Sequence, residues 1–262
     1  MLDLSNETMV HIKKGKVEYL QFRELQKYQN KVQHCYTLKG ENNNYERIEA
    51  DNYLALYEAL DIDMEGLTKI EYQAHGNIVE VVKEKKEFHT KIDGLLTAQK
   101  GISLSLRFAD CTPILFYDKE KNVIGNIHSG WKGTLQKIGQ KGVLKMIETY
   151  GCQKQDILCF LGPCIGKCHF EVGEEVKEQY ETTFSYLGEK EKWLVKGEPK
   201  EKVPKYFIDT TWINRKMLEE VGIDSSNIIE SNICTVCHKK EMHSYRAEKE
   251  RAGRNTSIIG LK

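Results

Sequence analysis

The chain has 262 residues, with 39 Lys and Arg against 39 Asp and Glu, and hydrophobic residues make up 40% of it. That length can bury a sizeable core without staples, and the apolar share is too high for a disordered chain. Zero formal net charge argues against a dedicated nucleic-acid binder. No apolar run approaches a membrane span, and the start Met1-Leu2-Asp3-Leu4-Ser5-Asn6-Glu7 lacks the basic residues and apolar stretch of a signal peptide. A soluble cytoplasmic protein with no membrane or nucleic-acid partner is expected.

In chain order, β-branched and aromatic content predicts strands over residues 16–22, 32–38, 78–82, 102–108, 113–117 and 123–128, with 157–162, 206–208 and 257–261 as further members of the sheet. Helices are predicted over 50–60, 134–150, 172–180 and 210–221. Residues 188–205, dense in charge and carrying Pro199 and Pro204, read as an exposed loop or hairpin. Strands and helices interleave, which points to an α/β or α+β fold with a mixed sheet, and the expected organisation is one domain over residues 1–262.

In a reducing cytosol the eight cysteines (35, 111, 152, 159, 164, 168, 234 and 237) point to metal binding or catalysis in preference to disulfides. The most informative of them is Cys111. The strands at 113–117 and 123–128 are joined by a polar turn, and a hairpin centred between Lys119 and Glu120 sets Cys111 directly opposite His128, on the same face. Opposed side chains of this kind share reach of a metal or of each other, but a one-residue slip in register destroys the argument. The pair fits two ligands of a zinc site, which needs a third protein ligand and an open position. It also fits a Cys nucleophile with a His base, or a small buried Cys beside an unrelated His.

The flanks add detail. Asp110 is a charge where the apolar pattern predicts burial. Gly130 and Gly133 frame Trp131 and Lys132 before a helix whose N-terminal N–H groups could receive an anion. His75, ahead of a Gly76-Asn77 turn, is the candidate third ligand.

Gln73-Ala74-His75-Gly76, Asp93-Gly94-Leu95-Leu96-Thr97, Ala109-Asp110-Cys111-Thr112-Pro113 and His128-Ser129-Gly130-Trp131-Lys132-Gly133 occur in this order. They are followed by Gly162-Pro163-Cys164-Ile165-Gly166, Phe170-Glu171-Val172-Gly173, Ser244-Tyr245-Arg246 and Gly253-Arg254. Order and spacing resemble the YfiH family, known both as purine nucleoside phosphorylases and as multicopper polyphenol oxidase (laccase) domain proteins, over most of the chain from about residue 30. The resemblance implies a layered α/β sandwich related to a group that includes Cys/His hydrolases. It implies zinc held by His75, Cys111 and His128, with copper a less favoured ion. It further implies phosphorolysis of adenosine, inosine and methylthioadenosine, together with adenosine deamination, for which a zinc ion that lowers the pKa of water is suited. The partners implied are a small-molecule nucleoside and phosphate, and a monomer or weak oligomer is expected.

Three of the seven arginines, at 246, 251 and 254, fall close to the matched tail motif. Arg246 and Arg254 are assigned to anion or substrate contact because a guanidinium presents a planar fork to phosphate, whereas Arg251 reads equally well as part of a solvated tail. The chain departs from the family where Lys39 stands in place of an Arg, a point charge instead of a fork, and where Asn52 is followed by Tyr53 instead of Arg. Lys39 is carried forward as a substrate contact, and Asp110 as a general acid from adjacency alone.

Cys234-Thr235-Val236-Cys237-His238 has the form of a c-type haem attachment signature, which is discounted because that chemistry needs export. Cys164, Cys168 and His169 with Cys234 and Cys237 offer a second zinc pattern instead. Two other functions compete with the nucleoside reading. One is a Cys/His hydrolase editing peptidoglycan precursors, with Cys111 as nucleophile. The other is a copper polyphenol oxidase, which needs a His-rich trinuclear cluster that eight scattered histidines do not resemble.

Overall fold

Residues 113–117 and 123–128 carry so little charge that strands formed from them must be covered on both faces. The computed structural model, which describes residues 2–40, 43–46, 51–85, 88–199 and 204–262 without the side chains of 51, 52, 69 and 88, shows how. A mixed sheet runs in the order β1 (Met9–Lys14), β2 (Val17–Phe22), β3 (Val32–Thr37), β16 (Asn255–Leu261), β8 (Ser103–Phe108), β4 (Leu67–Ile70) and β6 (Phe88–His89). A second mixed sheet runs β15 (Ile228–Glu230), β11 (Ile157–Leu161), β9 (Thr112–Asp118), β10 (Val123–Ser129), β7 (Gly94–Thr97) and β5 (Val79–Val81). A small third sheet joins β12 (Glu171–Val172), β14 (Tyr206–Ile208) and β13 (Leu194–Lys196).

The described helices are α1 (Arg23–Gln26), α2 (Asp51–Leu60), α3 (Trp131–Leu135), α4 (Ile138–Tyr150), α5 (Glu174–Phe184), α6 (Lys190–Trp193), α7 (Thr210–Glu220) and α8 (Tyr245–Glu248). Among the described residues no helix is long and apolar enough to cross a membrane.

The hairpin's period-2 alternation sorts its side chains into two cores. Leu115, Tyr117 and Ile124 pack with Leu104, Leu106, Phe108 and Ile259 of the first sheet. Ile114, Phe116, Val123 and Ile127 pack on the other side with Ile138, Val143 and Met146 of α4 and Leu218 of α7. On the far face of the first sheet, Tyr53, Leu56, Tyr57 and Leu60 of α2 cover Val17, Tyr19, Cys35 and Ile258. The expected layered α+β sandwich is therefore present, with its β-structure divided into two facing sheets and helices outside both.

The nine predicted strands form, with shifted ends. Not expected from the sequence are β1, an edge strand with half-exposed side chains, and the short strands β4, β6, β7, β12, β13 and β15. The helix expected over 134–150 is interrupted. Lys137 takes φ +58° and turns its N–H to the Thr134 carbonyl at 2.9 Å, ending α3 after five residues. The helix expected over 172–180 starts at Glu174, because Val172 pairs with Tyr206 in β12. Ala50 and residues 200–203, part of two predicted segments, lie outside the described residues. From within 188–205, β13 pairs as a hairpin with β14 just beyond the segment, and Trp193 is buried with Tyr180, Phe184 and Ile213 instead of exposed.

The register of the β9–β10 hairpin corrects the sequence expectation. The ladder pairs Val123 with Asp118 and His128 with Pro113, so Cys111 is not directly opposite His128. Buried Asp118 closes the turn by accepting the N–H groups of Glu120 at 2.9 Å and Lys121 at 2.8 Å, and Asn122 takes φ +51°. The loop is thereby four residues, 119–122, and the pairing is displaced by two positions. A two-residue offset preserves the face, since side chains alternate with period two. Cys111 lies just beyond the ladder on the face that carries His128.

Asn126 fixes this hairpin to the facing sheet. Fully buried, it donates from Nδ2 to the carbonyls of Leu104 and Ser257, both at 3.0 Å, and accepts the Ser257 hydroxyl at 2.8 Å. Removing one partner of a buried hydrogen bond strands the others at about 1–3 kcal/mol each. Asn126→Leu is expected to lower unfolding stability in urea by on the order of 2–3 kcal/mol, and a loss below about 0.5 kcal/mol would contradict the strut role.

Candidate metal centre

Three side chains reach one point from three places in the chain. His75 stands at φ +58° in the loop between β4 and β5, Cys111 follows the φ +91° residue Asp110 just before β9, and His128 lies near the end of β10. The donor atoms of all three lie within 4.8 Å of one another, and the two imidazoles meet edge to face at 4.8 Å between centroids.

Asp93, at the entry to β7 and with no exposed surface, orders this arrangement. Its Oδ1 accepts the His75 N–H at 3.0 Å and faces His128 Nδ1 at 2.8 Å, and its Oδ2 accepts the Gly76 N–H at 2.7 Å. Its carbonyl accepts the His128 N–H at 2.7 Å. With Nδ1 committed to the carboxylate, the His128 ring keeps Nε2 for Cys111 or a metal.

Gly130 leaves the space the set occupies. A Cβ at that position would fall 3.2 Å from Cys111 Sγ, 3.4 Å from His75 Cδ2 and 3.6 Å from His128 Cε1. Gly133 lets the start of α3 approach the His75 loop, where a Cβ would meet the Gly76 carbonyl oxygen at 2.9 Å.

The electrostatics are those of an ion pair. Burial pushes the Cys111 thiol up, but His128 and His75 outweigh it and bring it down to about 6. Burial pulls His128 down, and the Cys111 sulfur and Asp93 carboxylate outweigh that and raise it to about 9. Burial raises Asp93, while His128 and the two backbone N–H groups carry it below the usual carboxylate range. Two imidazoles and a thiolate with a second-layer carboxylate fit a borderline-soft ion such as zinc, and three protein ligands leave a position for a reactant.

The three residues line a cavity of about 810 Å³. Trp131 and Phe170 give it aromatic surface, and Asp110, Arg246 and Arg254 give it charge.

Residues 37–262 match the sequence family described as multi-copper polyphenol oxidoreductase laccase. The chain is 31% identical over 199 residues to the Bacillus subtilis purine nucleoside phosphorylase YlmD, covering 72% of this chain and 69% of that one. It is 33% identical over 212 residues to a Deinococcus radiodurans purine nucleoside phosphorylase, covering 81% and 77%. A crystal structure of the Bacillus licheniformis hypothetical protein YfiH superposes with a TM-score of 0.83 at 25% identity, covering 96% of this chain and 99% of that one. The chain belongs to this YfiH, or laccase-domain, family.

Not every residue expected in the site of this YfiH-family chain reaches it. Arg246 and Arg254 line the cavity. Arg246 donates from Nη1 to the His169 carbonyl at 2.8 Å and from Nη2 to the Glu171 carbonyl at 3.0 Å, and Arg254 donates from Nη1 to the carbonyls of Ala252 and Gly253. Lys39 does not line it: its ammonium is held by the Glu248 carboxylate and the Lys239 carbonyl. Arg251 is exposed outside it. Tyr53 is a core residue whose hydroxyl donates to the Tyr45 carbonyl, and the Asn52 side chain lies outside those described.

Asp110 is at the cavity, but both its oxygens are engaged. Oδ1 accepts the Thr235 hydroxyl and Oδ2 the Arg246 N–H, each at 2.6 Å, so that Asp110 braces the Cys111 turn against two other segments. The expected anion site at the start of α3 has only a five-residue helix behind it, too short for a substantial dipole.

The residue that sequence reasoning left without a role is Asp93. Its signal in the sequence is a charge at the head of an apolar strand, as at Asp110. Carboxylates behind metal-bound histidines typically contribute roughly 10–100-fold to metal affinity. Asp93→Asn is expected to weaken metal binding by that factor, read by competition with a chromophoric chelator, and unchanged affinity would contradict the orienting role. Gly130→Ala is expected to weaken binding in the same titration while leaving the far-ultraviolet circular dichroism unchanged.

Proposed function

We propose that this chain is a zinc-dependent purine nucleoside phosphorylase. It would convert adenosine, inosine and S-methyl-5′-thioadenosine to the free base and ribose or methylthioribose 1-phosphate, with deamination of adenosine as a further reaction. The observation that carries the proposal is the convergence in one cavity of about 810 Å³ of a three-donor set, aromatic faces and three arginines, Arg107, Arg246 and Arg254. Its size falls in the range of small-molecule sites, and the names of the Bacillus subtilis and Deinococcus radiodurans relatives support the reaction class.

His75, Cys111 and His128 hold the zinc, which when bound supplies a Lewis acid at the reacting centre. Trp131 and Phe170 present flat apolar faces on which a purine can stack. Arg246 spends two N–H groups on the carbonyls of His169 and Glu171, which fixes its plane and leaves three donors for a phosphate. Arg254 supplies a second positive charge from the neighbouring wall. Holding phosphate and nucleoside together in an apolar, partly enclosed space lowers the entropic cost of their reaction.

A second reading has its own support. Cys111, His128 and Asp93 also form a nucleophile, base and orienting carboxylate, with the thiol poised as a thiolate. That is the arrangement a Cys/His hydrolase acting on peptidoglycan precursors would need. The zinc reading is favoured because His75 and the missing Cβ at Gly130 complete a three-donor pocket that a nucleophile and base do not require. A copper polyphenol oxidase is disfavoured, because the donor clusters among the described residues hold one and two histidines and not the His-rich set of a trinuclear site.

The test uses metal-quantified protein with adenosine, inosine and methylthioadenosine, each with and without phosphate, and separates bases from sugar phosphates by chromatography. The expected outcome is phosphate-dependent release of base that His75→Ala reduces by at least about 100-fold, the scale of losing a metal's charge stabilisation. Absence of turnover with zinc bound, together with an acyl adduct trapped on Cys111, would transfer the assignment to the hydrolase.

A further inference from the structure

Beyond the first donor set, two loops bring four soft donors to a single point. Residues 162–171 follow β11 and residues 231–238 follow β15, and the two loops are knitted together by backbone. Cys164 and Cys234 form a parallel bridge, the Thr235 N–H donates to the Cys164 carbonyl at 2.9 Å, and the Cys164 N–H reaches the Ile233 carbonyl at 3.3 Å.

On this frame the donor atoms of Cys168, His169, Cys234 and Cys237 all lie within 4.8 Å of one another. The sulfurs of Cys168 and Cys237 are 3.7 Å apart, and His169 Nδ1 lies 3.1 Å from Cys168 Sγ, 3.6 Å from Cys237 Sγ and 3.7 Å from Cys234 Sγ. A zinc tetrahedron with its usual bond lengths has sulfur–sulfur edges of about 3.8 Å and sulfur–nitrogen edges of about 3.5 Å. These four edges agree with that shape to within a few tenths of an ångström. A disulfide needs its sulfurs at about 2.05 Å, so the contact between Cys168 and Cys237 is not one.

Two further details belong to a ligand cradle. The Gly166 N–H donates to Cys234 Sγ at 3.2 Å, a contact that stabilises a thiolate. A Cβ on Gly166 would stand 3.3 Å from Cys168 Sγ and 3.5 Å from Cys234 Sγ, so a glycine keeps the centre open. Cys164, which the sequence pattern also offered, is excluded: its sulfur contacts the Thr211 hydroxyl at 3.2 Å.

We propose that Cys168, His169, Cys234 and Cys237 form a second, structural metal site that binds one Zn²⁺ through three thiolates and the Nδ1 of His169. A closed Cys₃His set leaves no coordination position for a reactant, so its role is to hold structure. What it holds is the wall of the first cavity. Arg246 docks on the carbonyls of His169 and Glu171, and the Thr235 hydroxyl holds Asp110, which in turn takes the Arg246 N–H. The metal clips together the two loops on which Arg246 and Asp110 rest. The proposal stands whatever reaction the first cavity performs.

The full chain, purified under reducing conditions from zinc-supplemented cells, is analysed for metal by mass spectrometry beside two variants. The expected zinc content is two equivalents in the wild type, one in Cys168→Ser/Cys237→Ser and one in His75→Ala. In cobalt-substituted His75→Ala, an intense thiolate-to-cobalt charge-transfer band is expected from the site that remains. One equivalent in the wild type that vanishes in His75→Ala overturns the proposal. So does a Cys168–Cys237 disulfide in wild-type protein alkylated on lysis and lacking the second equivalent. Where the double cysteine variant does not fold, His75→Ala decides alone: one tightly held zinc with the three-thiolate spectrum supports the site, and none refutes it.

Discussion

Asp93 carries a carboxylate with no exposed surface between the loop that bears His75 and the strand that bears His128, and it is balanced there by two backbone N–H groups and by an ion pair with the His128 imidazole. Burying such a charge is costly unless each oxygen is satisfied. The satisfaction comes from the N–H groups of a left-handed His75 and of Gly76, and from the imidazole of His128. One buried group therefore sets three things at once: the backbone of the His75 loop, the orientation of the His128 ring, and the nitrogen that ring turns toward Cys111. The lowered Cys111 thiol and raised His128 imidazole follow from the same placement.

The sandwich supplies the rigidity this needs. The β9–β10 hairpin is buried on both faces, and Asn126 ties it to β8 and β16 across the intersheet core. Close approach at the site is permitted by absent side chains, with Gly130 between the three donors and Gly133 against the Gly76 carbonyl. The opposite wall is built differently, from two irregular loops after β11 and β15 that have few ladder bonds of their own. Arg246 and Asp110 depend on those loops, and four soft donors converge where the loops meet.

The hairpin strands were readable because apolar runs bounded by charged turns leave few alternatives. Their register was not, because the turn is closed by a buried Asp118 whose hydrogen bonds exist only once the core has formed. The inference that Cys111 and His128 share a face survived, since the error was an even number of residues. Lys39 and Arg246 show the converse limit. Both are cations near matched motifs, yet one is drawn off to Glu248 while the other is aimed at the cavity by two carbonyls. Nothing local in either sequence segment distinguishes these outcomes.

By itself the sequence determined the donor types and their order along the chain, the apolar hairpin and the family motifs, because composition and period-two patterning are local properties. Only the tertiary structure decided which donors meet. Asp93 became the orienting carboxylate, Asp110 a brace between Thr235 and Arg246, and Cys168, His169, Cys234 and Cys237 one cluster without Cys164. The physical reason is that these groupings join residues many positions apart. Their distances are set by sheet packing and by the need to satisfy buried polar groups, and neither is expressed in the spacing of residues along the chain.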